Sequence, residues 1–229
     1  MRTTRIARVV AGALAFGAMA ATPALAQDKL NIIGTVDIFQ VPSGPVGNVI
    51  VDFNAPTGGT TGTVFQSGGS TGIFAGLALF APGTQADLAF GPNPGSPSPS
   101  PVGVPFPGST LLTIGGYTFT ATFYFPGNVV GTPFNLNQSG PNVSADFSVS
   151  GTVTGPGFAG TRLFSGIYTT QFNNTTIPGL VAQIEGGTLV PSSVSASFVV
   201  SAVPEPATFA LMGTGLVGLV GFARMRRRS

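Results

Sequence analysis

Residues 143–154 read Val-Ser-Ala-Asp-Phe-Ser-Val-Ser-Gly-Thr-Val-Thr, a run in which apolar and polar side chains alternate almost without interruption. Successive side chains of a β-strand point to opposite faces, so this run predicts a strand with one buried and one solvated face. The same period of two recurs in residues 117–125 and 193–201. Three such runs predict antiparallel sheets that are half buried and half exposed.

In residues 117–125 the period separates an apolar face from a row of threonines. The threonine row would consist of Thr118, Thr120 and Thr122. The apolar face would consist of Tyr117, Phe119, Ala121, Phe123 and Phe125, which leaves Tyr124 exposed.

Residues 27–203 are expected to form one all-β domain. The chain has 34 glycines, no tryptophan and no cysteine, a composition that favours short strands and frequent turns without disulfide support. We predict an antiparallel β-sandwich, with a jelly roll as one form of it. A closed barrel is the second option, and a repeat solenoid is the third because no fixed period is present.

Two stretches in the first half of this domain interrupt the pattern. Residues 72–80 are almost wholly apolar and predict a strand that is buried on both faces. Residues 91–108 contain seven prolines and are expected to stay outside any sheet ladder. They predict either a long surface loop of one domain or a linker between two domains, and we favour the loop.

The N-terminus carries the features of a signal peptide over residues 1–26. Three arginines, Arg2, Arg5 and Arg8, precede an apolar segment, and Ala24-Leu25-Ala26 is a small-x-small cleavage site. The mature chain should therefore begin at Gln27 after export through the general secretion machinery. An uncleaved first transmembrane helix is the alternative.

The C-terminus contains three consecutive features. Pro204-Glu205-Pro206 precedes an uncharged stretch over residues 207–223, which at 17 residues is just long enough to cross a bilayer. A basic cluster over residues 224–229 follows, and its charges would hold the far end in the cytoplasm. The cluster consists of Arg224, Arg226, Arg227 and Arg228.

This arrangement resembles the PEP-CTERM sorting signal, in which Pro-Glu-Pro precedes a short membrane helix and terminal arginines. The resemblance implies recognition by an exosortase, a membrane protease-transpeptidase thought to cut near the triplet of residues 204–206. The protein would be held transiently in the inner membrane and then reach the cell surface or the extracellular matrix. Members of this family tend to occur with exopolysaccharide and biofilm loci. The tail is also labelled an ice-binding protein C-terminal domain, and an ordinary C-terminal anchor is the alternative.

Charged and reactive side chains are scarce between the two ends. Only Lys29 and Arg162 are basic, against six acids, so no cluster is present that could neutralise the phosphates of a nucleic acid. The chain contains no histidine and no cysteine, which removes the common nucleophilic triads and histidine-ligated metal sites. We therefore expect no enzyme activity and no cofactor. A calcium site on Asp37, Asp52 or Asp87 is weaker than the interpretation of these acids as solvated surface groups.

A few side chains are candidates for ligand contact. Arg162 could clamp an acidic polysaccharide, although a salt bridge to Asp146 or Glu185 is favoured. Tyr124 and Tyr168, if exposed, could stack on sugar rings. The threonine row resembles that of some ice-binding β-proteins, but threonine is also an ordinary strand residue.

The sequence thus predicts a structural or adhesive surface protein associated with exopolysaccharide. A carbohydrate-binding module is the alternative, and an ice-binding module is weaker still.

Overall fold

The computed structural model describes residues 27–40, 49–53, 61–90, 99–129, 132–201 and residue 215. Outside these residues lie the predicted signal peptide (1–26), residues 91–98 of the proline-rich stretch, the triplet of residues 204–206, the apolar stretch 207–223 except residue 215, and the arginine cluster. Within them, no helix is both long and apolar enough to span a membrane.

The described residues are all-β, as predicted, with one short α-helix, α1 (Ile177–Glu185), and a 3₁₀ turn (Gly72–Gly76). The strands are β1 (Asp28–Gln40), β2 (Val49–Asp52), β3 (Thr61–Gln66), β4 (Pro82–Ala86), β5 (Leu88–Phe90), β6 (Pro99–Ser100), β7 (Ser109–Ile114), β8 (Tyr117–Tyr124), β9 (Asn135–Ser139), β10 (Asn142–Thr154), β11 (Arg162–Phe172) and β12 (Val190–Val200).

Eight of these strands form one closed antiparallel barrel in the order β1, β12, β11, β10, β8, β7, β4, β3 and back to β1. The closing contact joins the first strand to the last, with Asp28 opposite Val200 and Ile38 opposite Val190. The predicted sandwich is not confirmed, and the second option, a barrel, is the observed architecture. Alternation alone could not separate them, because both architectures bury one face of every strand.

The sheet branches at β1. Its first half pairs with β3, whereas its second half pairs with β2, which continues to β5 and β6. Just after β6, Val102 forms a bridge to Tyr124 of β8. Strands from both sides of the proline-rich stretch therefore share one sheet.

Part of the proline-rich stretch does join a ladder, contrary to the sequence prediction. Pro99 and Ser100 pair in parallel with Ala89 and Phe90. Proline is tolerated in this two-residue edge segment, because the segment is too short for the missing N–H to break a longer series of ladder hydrogen bonds.

Residues 72–80 are not a buried strand. Gly72 has a φ of +62° and opens the 3₁₀ turn, which inserts only Phe74 into the end of the barrel. The Phe74 ring packs edge-on against Tyr117, with centroids 4.7 Å apart. Leu79 and Phe80, predicted to be buried, are each 59% exposed.

Strand β8 follows the predicted alternation only as far as Ala121. A bulge between its pairings with Gly151 and Ser150 inserts one extra residue, which reverses the faces beyond it. Tyr124 is consequently fully buried and Phe125 is exposed, the opposite of the sequence prediction.

Aromatic side chains fill the barrel. Phe119 lies 5.2 Å from Phe164 and 5.1 Å from Phe198 between ring centroids. Further along, Tyr168 stacks on Phe147 at 4.6 Å. The interior of an eight-stranded barrel is about as wide as the side chains that fill it. A larger ligand would therefore bind on the outer surface of the barrel and not inside it.

Candidate binding groove

An open groove of about 530 Å³ lies on the outer surface of the barrel, across β3, β1, β12 and β11. Its size is within the usual range of ligand sites. We call it the polar groove, and its lining residues are Ile33, Gly34, Thr35, Thr63, Phe65, Thr169, Thr170, Gln171, Ser193, Val194 and Ser195.

Strand register aligns the side chains that form one wall of the polar groove. Ile33 pairs with Phe65 on one side and with Ser195 on the other, and Ser195 in turn pairs with Thr169. At about 4.8 Å between strands, this row is roughly 14 Å long. Paired residues share one face of a sheet, so all four point outward.

A second hollow of about 380 Å³ continues the groove and shares Gln171 and Ser193 with it. It opens where the β11–β12 ladder stops at the pair of Thr170 and Val194. Beyond that pair, the Thr170 hydroxyl lies 2.8 Å from the Ser193 carbonyl oxygen, and Ser192 donates to the Gln171 carbonyl at 2.9 Å. These side-chain bonds fix the two strands while their backbones separate.

None of the described residues that line either hollow is charged. The polar groups are threonine and serine hydroxyls from the four strands of the groove and the side-chain amides of Gln171, Asn173, Asn174 and Gln183. Phe65, 39% exposed, and Ile33, 37% exposed, supply an apolar platform at one end. An aromatic face beside neutral donors and acceptors suits an uncharged, hydroxylated ligand.

A separate apolar cleft lies between α1 and the barrel, but it is small. Its volume is about 60 Å³, and its walls include Ile38, Leu136, Leu180 and Ile184. By the same measure the polar groove, at about 530 Å³, is several times roomier. The polar groove is therefore the better candidate site.

Both predicted tyrosine contacts are buried and unavailable to a ligand in solution. The Tyr168 side chain is 1% exposed, and its hydroxyl donates to Oε1 of Gln85 at 2.8 Å. Tyr124 is 0% exposed. Burial raises the pKa of each phenol well above its usual value, so both stay neutral. Neither ring can stack on a sugar, and the prediction that they are exposed is wrong.

Arg162 lies far from the polar groove. It pairs with Val153 at the start of β11, seven residues before Thr169, which corresponds to about 24 Å along the strand. Among the described residues, no ion pair joins it to Asp146 or Glu185. Asp146 instead accepts from the side-chain amide of Asn135 at 3.0 Å.

The acids considered for calcium are partly brought together. Asp37 and Asp52 pair across β1 and β2, and Asp87 accepts from the Phe53 backbone N–H at 2.9 Å. Desolvation raises the pKa of Asp87, a backbone hydrogen bond from Phe53 opposes that rise, and the nearby Asp52 charge adds to it. Among the residues described, no three acids lie together in a group able to hold a metal ion.

The threonine row is part of a wider pattern. Across five adjacent strands, direct pairing aligns Thr63, Thr84, Thr113, Thr118 and Thr154. Thr63 also lines the polar groove. This rung follows the curvature of the barrel, unlike the flat row that an ice surface would require.

Sequence reasoning missed Phe65 as a contact residue. The sequence Thr-Gly-Thr-Val-Phe-Gln (61–66) carried no such signal, because the strand exposes Phe65 and buries Gln66, the reverse of what their polarity predicts. Its neighbours in the groove come from strands distant in sequence, so no local motif connects them.

Comparison with known proteins concerns the C-terminus. A family model described as the PEP-CTERM protein-sorting motif matches residues 202–228. The chain carries a PEP-CTERM sorting signal. This motif indicates an extracellular protein that an exosortase sorts, with export and a membrane-associated C-terminal signal. No curated protein and no solved structure matched the chain.

Proposed function

We propose that this PEP-CTERM protein is a structural or adhesive component associated with exopolysaccharide, and that it binds uncharged polysaccharide in the polar groove. The observation that carries the proposal is the composition of the groove. Hydroxyls, amides and one exposed phenyl ring line the polar groove and the hollow that continues it, and none of the described residues there is charged.

The chemistry favours a neutral glycan over other ligands. An acidic polysaccharide would need a cation to pair with its carboxylates, and Arg162 lies at the other end of β11. An ice surface would need a flat array, whereas the threonine rung curves with the barrel. Binding without catalysis is the proposed role, and it requires no cofactor.

Phe65 is expected to contribute most to affinity, by stacking on a sugar ring. An aromatic stacking contact is worth about 0.5–1.5 kcal/mol beyond area burial, so Phe65→Ala should weaken binding roughly 2–13-fold. The matched control is Phe125→Ala, because Phe125 is also an exposed phenylalanine, at 44%, but lies outside the groove.

The test is isothermal titration of the secreted, processed protein with a neutral dextran, a neutral β-glucan and anionic alginate. We expect saturable binding to a neutral polymer, a loss with Phe65→Ala, and wild-type affinity with Phe125→Ala. Absence of binding to both neutral polymers, or preference for alginate, would contradict the proposal.

A further inference from the structure

The end of the barrel from which the chain leaves toward the sorting signal carries exposed apolar side chains. Val200 is the last residue of β12, and Ser201 donates its N–H to the Leu163 carbonyl oxygen at 2.9 Å. Leu163 itself is 65% exposed. The β3–β4 connection lies at the same end, because Thr71 pairs with Lys29 next to the first rung of β1. We call this the exit end.

Leu79 and Phe80 are exposed apolar residues of the β3–β4 connection just before β4, and the backbone holds them in place. Phe80 has a φ of +63°, a conformation that a bulky residue rarely adopts. Its N–H donates to the Gln66 carbonyl at 3.0 Å, and the N–H of Gln66 donates to the Ala81 carbonyl at 2.9 Å. The connection is therefore fixed with both side chains turned to solvent, a strained arrangement of the kind that is common at functional sites.

The exit end carries Lys29 and Arg162 against Asp28, with Glu205 in the connecting residues, so its charges balance and do not repel an anionic surface. Residues 67–81 and 155–161 contain no charged side chain. Asp28 is engaged by the backbone N–H of Ile73 at 3.0 Å. Lys29 and Arg162 supply the positive charge there, and basic side chains near a membrane are attracted to anionic lipids.

The short connection after Ser201 limits how far the exit end can lie from the apolar stretch of the sorting signal. Only residues 202–206 separate Ser201 from the apolar stretch that begins at Ala207. Even a fully extended chain would place the barrel within about 20 Å of that stretch. While the sorting signal is in the membrane, the exit end is therefore the part of the barrel nearest the bilayer.

We propose that the exit end docks on the lipid bilayer in the unprocessed protein, with Leu79 and Phe80 entering the headgroup region. Two apolar side chains alone bind a bilayer weakly, but a short tether raises their local concentration at the surface. Removal of the tail would release the contact. The proposal rests on the membrane-associated sorting signal and not on the polar groove.

The chain has no cysteine, so single-cysteine labelling is specific. Full-length protein carrying Leu79→Cys or Leu189→Cys is labelled with a fluorophore and reconstituted into vesicles of phosphatidylcholine and phosphatidylglycerol with nitroxide lipids. The two leucines are matched, being 59% and 58% exposed, and Leu189 precedes β12 at the opposite end. We expect loss of emission at position 79 and unchanged emission at position 189.

Equal quenching at both positions, no quenching at position 79, or failure of the full chain to float with vesicles would overturn the proposal. A second measurement tests the side chains. Quenching of a label on Leu163→Cys should weaken when Leu79→Ser/Phe80→Ser is added, and should stay unchanged when Leu189→Ser is added. Unchanged quenching in the double variant would also overturn the proposal. Glycan binding is measured on the processed protein without lipid, so either proposal can fail alone.

Discussion

Tyr168→Phe tests the buried hydrogen bond that joins two distant parts of the barrel. The Tyr168 hydroxyl donates to Oε1 of Gln85 at 2.8 Å, and both residues are essentially inaccessible to solvent. Removing the hydroxyl leaves a buried amide oxygen without this donor. Such a loss costs about 1–3 kcal/mol.

The substitution isolates the hydrogen bond because the ring stays in place. Phe147 stacks on it at 4.6 Å, and Phe198 and Phe53 contact it edge-on at 5.5 and 5.8 Å. The cost should therefore come from the amide and not from a cavity. In a domain of this size, each kcal/mol lowers Tm by about 2–4 °C.

Tyr124→Phe is the matched control. Tyr124 is equally buried, but within the described chain its hydroxyl has no hydrogen-bond partner. The Ser100 hydroxyl lies close enough to oppose the rise in the Tyr124 pKa, yet it does not reach hydrogen-bonding geometry. Removing an unsatisfied buried hydroxyl should be neutral or stabilising.

The assay is urea unfolding of the processed protein followed by far-UV circular dichroism, since the chain has no tryptophan. We expect a lower midpoint for Tyr168→Phe at unchanged slope, and a midpoint at or above wild type for Tyr124→Phe. Equal destabilisation of both variants, or a larger loss for Tyr124→Phe, would refute the reasoning.

Gly166→Ala should destabilise by about 1–3 kcal/mol in the same assay, because its Cβ would lie 2.6 Å from the Phe198 ring, whereas Gly76→Ala meets no atom within 4 Å and should be neutral. Stability should fall above about pH 10. Tyr124 and Tyr168 are the most deeply buried of the three tyrosines, and their pKa values are raised in the folded state. The unfolded state therefore releases these protons first, and the free energy of unfolding falls by about 1.4 kcal/mol per pH unit for each. A flat pH profile between pH 9 and 12 would contradict this. Intact-mass analysis of the secreted protein should find no residues from 207 onward, and Pro204→Ala/Glu205→Ala should leave full-length protein at the inner membrane.

The sequence predicted the all-β class and the inward face of β10 and β12. Val149 and Phe198 are buried as the alternation predicts, because successive side chains of a strand point to opposite faces and one face of this sheet is the barrel interior. Closure was not predictable, since the pairing of Asp28 with Val200 has no local signal. The bulge in β8 was hidden as well, because aromatic residues stand at both 123 and 124 and either could face the core.

The candidate site was the least predictable part. Phe65, Ile33, Ser195 and Thr169 become neighbours only through the register of four strands. Serine and threonine occur throughout this chain, so their presence does not single out a site. Tyr124 and Tyr168, which the sequence analysis proposed for sugar contact, are instead buried in the barrel core.

Barrel closure has a consequence for the order of events during folding. The strand β1 is synthesised first, yet eleven of its residues pair with β12, which is the last of the described strands to be synthesised. Pairings of such large sequence separation form slowly, and until then two strand edges stay open to other chains. The barrel can therefore close only once β12 is present, so a chain truncated before residue 190 would lack its closing strand and present those edges for aggregation.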